Sequence, residues 1–310
     1  MLGKDLLGLR GLTETDITKI LDTASYFQAV NQRRIKKVPT LRGRTVVMAF
    51  FENSTRTKLS FELAAKRLSA DILSFSAATS STKKGETLMD TARNIDAMAP
   101  AAMIIRHGAT GAPHMLAQHF GWSVINAGDG VNEHPSQALL DMLTIRDAFG
   151  DIQGKHVAIV GDVRHSRVAR SNIFGLQTMG AEVSVAGPGT MTPVELNAFG
   201  VRRVHRINDV LDSADVIMML RIQNERLGRA MLPSIQEYAE LYGMDMARLN
   251  RTRPSTLLLH PGPVNRGVEL DPDAADSSKS AILNQVSNGI AVRMALLYLL
   301  LGGEPMERQQ

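Results

Sequence analysis

The sequence predicts an α/β protein made of two domains, each a parallel sheet with helices on both faces. Three observations predict it. Short apolar runs alternate with amphipathic segments along the whole chain, the order expected when strands are joined by helical crossovers. The runs are predominantly apolar, as in strands covered on both faces. The chain has 310 residues, which at roughly 150 residues per domain suggests two domains. A chain of that length buries roughly 75% of the surface its unfolded form exposes, so it needs no covalent staples.

Taken in order, the first half carries apolar runs at Thr45–Phe51, Ile72–Ser76, Ala102–Ile105 and Ser123–Asn126. Helical patterns lie between them at Thr55–Leu68, Leu88–Met98 and His114–Phe120. In the first of these Leu59, Leu63 and Leu68 recur near helical spacing. The second half repeats the theme with His156–Val160, Val183–Ala186, Val216–Leu220 and Thr256–Leu259, about four strands per half. The boundary is expected within or after the helix Pro135–Phe149, since Gly150-Asp151-Ile152-Gln153-Gly154 reads as a turn before a fresh strand. A polar stretch, Asp271–Ser280, precedes a last helix at about Ser280–Leu301 that no strand follows. The expected domains are therefore 1–149, with 280–310 returning to it, and 150–279. Two such lobes leave a cleft beyond the carboxyl ends of their strands, the usual ligand site in open parallel sheets.

Composition narrows the function. Zero cysteines exclude disulfides, thiolate nucleophiles, iron–sulfur clusters and Cys-ligated zinc. The net charge of +4 is spread without a block of like charges, so it carries no sign of nucleic-acid binding. The amino terminus has acidic residues and no sustained apolar core, unlike a secretory signal. The longest apolar stretch, Met294–Leu301, is far short of the roughly 20 residues that span a bilayer. A soluble, cytoplasmic protein without a membrane or nucleic-acid partner is expected.

The most informative segment runs from Thr45 to Leu68. A buried strand enters a short polar turn and then a helix, with Ser54, Thr55, Arg56 and Thr57 at the junction. The first N–H groups of a helix lack internal partners and carry partial positive charge. Hydroxyls and a guanidinium gathered there are suited to the oxygens of a phosphate. Ser54 alone reads as an ordinary helix cap; Ser-Thr-Arg-Thr after a buried strand reads as an anion site.

Phe50-x-Glu52-x-Ser54-Thr55-Arg56-Thr57 resembles the carbamoyl-phosphate signature of the aspartate and ornithine carbamoyltransferases. Further motifs match in the same order: Lys83-Lys84-Gly85-Glu86-Thr87, Ile105-Arg106-His107, His134-Pro135-Ser136-Gln137, His165-Ser166-Arg167, Arg221-Ile222-Gln223 and His260-Pro261-Gly262-Pro263. The resemblance covers nearly the whole chain. It implies two Rossmann-like domains joined by interdomain helices, in agreement with the strand pattern. It also implies roles. Ser54, Arg56, Thr57 and Lys84 would hold the phosphate of carbamoyl phosphate. Thr55, Arg106 and His134 would donate to its carbonyl oxygen, with Arg106 also on the phosphate, and Gln137 would hold the carbamoyl nitrogen. Ser80 and Lys84, in a polar tract without apolar periodicity, match residues that the family lends to a neighbouring subunit. A homotrimer with shared sites follows, with room for a larger assembly containing regulatory chains or a pathway enzyme.

Arg167 follows the strand His156–Val160 and Arg221 follows Val216–Leu220. Two guanidiniums at strand ends suit a dianionic acid, each gripping one carboxylate. Ornithine enzymes commonly carry Cys-Leu-Pro near the last strand; here the corresponding residues are His260-Pro261-Gly262-Pro263, and Arg221-x-Gln223 matches the aspartate type. The resemblance thus implies aspartate as acceptor, held by Lys84, Arg167, Arg221 and Gln223 and by the backbone of Pro261 and Gly262, with no metal or organic cofactor. Arg266 is left without a role.

Other classes fit less well. A nicotinamide dehydrogenase lacks its Gly-x-Gly-x-x-Gly, since neither Gly161-Asp162 nor Gly128-Asp129-Gly130 continues correctly. A P-loop fails because Gly150-x-x-x-Gly154-Lys155 is one residue short and lacks a following Ser or Thr. His107, His114 and His119 do not share a helical face, against a metal hydrolase. Carbamoyl transfer to another amine such as ornithine, or a two-lobed anion-binding protein without turnover, remain the alternatives.

Overall fold

A computed structural model describes residues 3–76, 86–222 and 234–302. By compactness the chain divides into two units, one of residues 1–136 with 288–310 and one of residues 137–287.

The first unit begins with α1 (Glu14–Gln32), then β1 (Thr45–Phe50), α2 (Thr55–Arg67), β2 (Asp71–Ser76), α3 (Leu88–Asp96), β3 (Ala102–His107), α4 (Ala112–His119), β4 (Ser123–Asp129) and the start of α5 (Pro135–Phe149). Thr13 caps α1 in a reciprocal capping box with Asp16. The strands form a four-stranded sheet in the order β2-β1-β3-β4, and every pair is parallel. Val47, Ala49, Met103, Ile105 and Val124 form one core cluster with Ala92, Ile95, Leu116 and Trp122. These are the apolar runs seen in the sequence, buried where periodicity alone cannot tell strand from helix.

Residues 5–10 lie along the free side of β4. Leu6 makes a parallel bridge to Ile125, with Leu6 N donating to the Val124 carbonyl and Asn126 N to the Leu6 carbonyl, both at 2.9 Å. Buried Glu133 fastens this segment, its Oε2 accepting from Leu9 N at 2.7 Å. Gly8 is needed there, because a Cβ would stand 2.2 Å from Glu133 Oε1.

The second unit continues with β5 (His156–Val160), α6 (Arg167–Thr178), β6 (Glu182–Ala186), β7 (Arg202–Val204), α7 (Asn208–Leu211), β8 (Val216–Met219), α8 (Ile235–Tyr242), α9 (Met246–Arg251), β9 (Leu257–Leu259), α10 (Pro272–Ala275) and α11 (Ile282–Leu301). Its five strands lie in the order β7-β6-β5-β8-β9, again all parallel. Its core is built from Ala158, Val160, Ile217, Met219 and Leu258 of the sheet against Val210, Leu211, Leu249 and Ala274 of the helices. The two divisions of the chain fall inside α5 and α11. Residues of α11 also bond within the first unit: Arg293 donates to Ser60 at 2.8 Å and Asn288 accepts from Gln28 at 2.8 Å. Among the described residues no helix is long and apolar enough to cross a membrane.

Two expectations change. The second sheet has a fifth strand, β7, whose Arg-Arg-Val sequence offers no apolar run; as an edge strand it needs none. In α2 the buried face is Phe61, Ala64 and Ala65, continued by Leu68, while Leu59 and Leu63 are 58% and 38% exposed. Small alanines let the helix approach the sheet closely, and the larger leucines are left on its outer side.

Candidate active site

Each sheet has one place where the chain changes direction across it, and ligand sites in open parallel sheets form beyond the strand ends at such points. In the first sheet that place lies between β1 and β3, because β2 is added on one side and β3-β4 on the other. In the second it lies between β5 and β8.

At the first point, β1 leads through residues 51–54 into α2, whose opening turn carries Thr55, Arg56 and Thr57 with no acidic side chain among them. Ser54 occupies the cap position, but its hydroxyl makes no capping hydrogen bond, a departure from the ordinary cap its identity suggests. The first-turn amides therefore keep donor capacity beside the hydroxyls. Thr57 is buried; Thr55 and Arg56 are exposed. Arg106 stands level with Phe50 in the register of β1 and β3, and Phe51 N donates to its carbonyl at 2.9 Å. Its guanidinium reaches the Ala127 carbonyl at 3.2 Å and Glu52 Oε2 at 3.4 Å. Glu52, inside the same Phe-x-Glu motif, is a residue that sequence reasoning did not single out. It pairs with Arg106 through Nε and so restrains the guanidinium.

Next along the sheet, β4 ends in a buried polar knot. Asn126 Nδ2 donates to Asp129 Oδ1 at 2.8 Å and to the Leu7 carbonyl at 2.8 Å, and Glu133 N donates to Asp129 Oδ1 at 3.1 Å. This knot delivers buried His134 to the start of α5. Gln137 follows in the first turn of α5, and its Nε2 donates to Asp141 at 2.9 Å. His107 ends β3 against the Phe51 ring, and burial holds its imidazole below the ordinary value.

At the second point, Gly161 ends β5 with φ +125°, and a Cβ there would stand 3.0 Å from Tyr238 Oη and 3.1 Å from Leu220 Cβ. The turn it opens is tied by Asp162, which accepts from His165 N at 3.1 Å and lies 3.0 Å from its ring. Ser166 then caps α6 through Ala169 N at 3.1 Å, which places buried Arg167 at the first helical position. Arg221 comes just after β8, and Pro261 and Gly262 just after β9. In that loop Gly262 N donates to His260 Nδ1 at 2.7 Å, which leaves Nε2 as the protonated nitrogen facing Glu269 Oε1 at 3.2 Å. Ser80, Lys84 and Gln223 lie outside the described residues. Arg266, without a role in the sequence, forms a bidentate pair with Asp276 at 3.0 Å on the surface and holds that carboxyl below the usual range.

Two all-parallel sheets, one with a hydroxyl-rich helix start and an arginine at its switch point and the other with two arginines at its own, belong to a class of α/β protein suited to anionic ligands. The chain belongs to the aspartate/ornithine carbamoyltransferase family: residues 4–147 match its carbamoyl-P binding domain and residues 153–300 its Asp/Orn binding domain. It is 56% identical to the aspartate carbamoyltransferase catalytic subunit of Syntrophotalea carbinolica over 98% of this chain and 97% of that protein. To the aspartate carbamoyltransferase catalytic subunit of Geobacter sulfurreducens it is 58% identical, over 97% of each. The structure of aspartate transcarbamoylase from Trypanosoma cruzi in complex with carbamoyl phosphate and aspartate superposes with a TM-score of 0.86 at 29% identity, covering 96% of both chains. Ornithine carbamoyltransferase from Pyrococcus furiosus gives 0.86 at 30% identity over 98% of both. The family expected from the motifs is thus the family found.

Proposed function

We propose that this chain transfers the carbamoyl group of carbamoyl phosphate to the α-amine of L-aspartate, giving N-carbamoyl-L-aspartate and phosphate, a step of pyrimidine biosynthesis in the cytoplasm. The observation that carries the reading is the uncapped, hydroxyl-rich first turn of α2 beside Arg106 at the switch point of the first sheet. Residues 1–149 with 280–310 are assigned to carbamoyl phosphate and residues 150–279 to aspartate.

In this reading Ser54, Arg56 and Thr57 hold the phosphate and Thr55, Arg106 and His134 donate to the carbonyl oxygen. The uncharged amine adds to the carbamoyl carbon, negative charge develops on that oxygen, and these donors stabilise it as an oxyanion. Collapse breaks the bond between carbon and the phosphate oxygen; the departing phosphate takes the amine proton. Arg167 and Arg221 grip the carboxylates of aspartate, joined by Gln223 and the backbone at Pro261 and Gly262. Lys84 and Ser80 are assigned to a neighbouring copy's site in a homotrimer. The exposed Leu59 and Leu63 of α2 and Leu73 of edge strand β2 support such association.

The test is turnover of carbamoyl phosphate with L-aspartate and, separately, L-ornithine, following phosphate and carbamoylated product. Aspartate-dependent N-carbamoyl-aspartate is the expected result. Turnover with ornithine alone would overturn the acceptor, and carbamoyl phosphate binding without turnover on either amine would overturn the activity.

A further inference from the structure

Asp141 stands one helical turn after Gln137 in α5 and is fully buried. Its Oδ1 accepts from Gln137 Nε2 at 2.9 Å and from Gln285 Nε2 at 2.7 Å, and its Oδ2 accepts from Asn172 Nδ2 at 2.8 Å. Two of these amides are locked by groups that cannot exchange donor and acceptor roles. Gln285 Oε1 accepts from the His260 N–H at 3.0 Å, which can only donate, so the amide nitrogen of Gln285 must face Asp141. Asn172 Nδ2 also donates to the Val168 carbonyl at 3.1 Å, which can only accept, so its nitrogen too is the end at Asp141.

A buried carboxylate surrounded in this way accepts on both oxygens. Gln137 is then left with one orientation, Nε2 on Asp141 and Oε1 turned away. Reversing that amide would set two acceptors against each other where water cannot relieve them, a costly arrangement at low dielectric. The direction of the amide is therefore dictated from two backbone groups, His260 N–H and the Val168 carbonyl, through Asp141.

We infer that Asp141 is a positioning residue that keeps Gln137 Oε1 available as an acceptor for the NH2 of carbamoyl phosphate, so that the site selects a carbamoyl over an acetyl group. The inference rests on the assignment of carbamoyl phosphate to this site. A carbamoyl NH2 donates a hydrogen bond, whereas an acetyl methyl of similar size cannot, so a fixed acceptor separates the two and a freely turning amide does not. Because Gln285 continues the network to His260, beside Pro261, the same carboxylate also steadies the loop assigned to the amino-acid acceptor.

The experiment measures, on the full chain, the KM for carbamoyl phosphate and the inhibition constants of acetyl phosphate and inorganic phosphate. It compares the wild type with Asp141→Asn and with Asp141→Ser, which carries the same test should the first not fold. The ratio of the acetyl phosphate constant to the carbamoyl phosphate KM is expected to fall about tenfold, the effect of one net hydrogen bond, with inorganic phosphate inhibition unchanged. Adding Gln137→Met to either variant should lower the ratio little further, because the two residues act as one device. An unchanged ratio in a folded variant, or equal weakening of all three ligands, as a purely structural role would produce, overturns the inference. A wild type that binds phosphate yet transfers nothing to aspartate overturns instead the assignment beneath it.

Discussion

Arg106 and Arg167, both assigned to substrate in the proposed function, are held differently. Arg106 is braced by the Ala127 carbonyl and Glu52, whereas Arg167 is fixed at a helix start by the Ser166 cap. Lysine at position 167 keeps the charge but loses the planar fork that meets a carboxylate with two parallel bonds. Arg167→Lys is expected to raise the KM for aspartate by roughly 10- to 100-fold, the equivalent of one charge-assisted bond, with the KM for carbamoyl phosphate unchanged. Steady-state kinetics with each substrate varied in turn checks this. Most of the proposed site was legible in sequence from short motifs and the family resemblance they carry, not from single residues, because polar clusters after apolar runs mark strand ends. Glu52 and Asp141 were not, since a lone acid in a helix or turn usually faces water. Only the fold reveals that Asp141 gathers amides from α5, α6 and α11.

Among elements, the strands were the easiest to read and the helix faces the hardest. Eight apolar runs correspond to eight of the nine strands among the described residues, β1–β6, β8 and β9. Most of these are buried along their length and need no alternation, whereas edge strand β2 is largely exposed. β7 escaped because an edge strand of three residues with two arginines has no such signal. The outward turn of Leu59 and Leu63 shows the converse limit: periodicity finds an apolar stripe, and close packing of Ala64 and Ala65 decides which side meets the sheet. The segment of residues 5–10 had no recognisable pattern at all, yet it borders β4 and the knot before His134. Gly8→Ala would drive a methyl into Glu133. A loss of about 1–3 kcal/mol, typical of overpacking, is expected in chemical denaturation, together with a fall in kcat as the turn carrying His134 shifts. Unchanged stability and kcat would show that the segment only decorates the sheet edge.

For the whole molecule, the proposed sharing of sites between copies makes a prediction that a self-contained monomer does not. Lys84→Ala and Arg106→Ala subunits should each be inactive alone. Mixed and reassembled, they should recover part of the wild-type rate, because some sites then receive an intact residue from each chain. Light scattering should return the mass of three chains for the active species. Recovery without association, or association without recovery, would count against residue donation across the interface.

The course of the backbone also sets an order of events during synthesis. Unit two, residues 137–287, is one unbroken stretch, so everything it needs is present once its last residue has left the ribosome. Unit one draws on both ends of the chain: Leu6 waits for residues 124–126, and Ser60 waits for Arg293. Domains generally fold as units with the amino-terminal one first, but here the half begun first is finished last. Until Arg293 emerges, a nascent chain carries a second unit complete to residue 287 and a first unit that still lacks the last turns of α11.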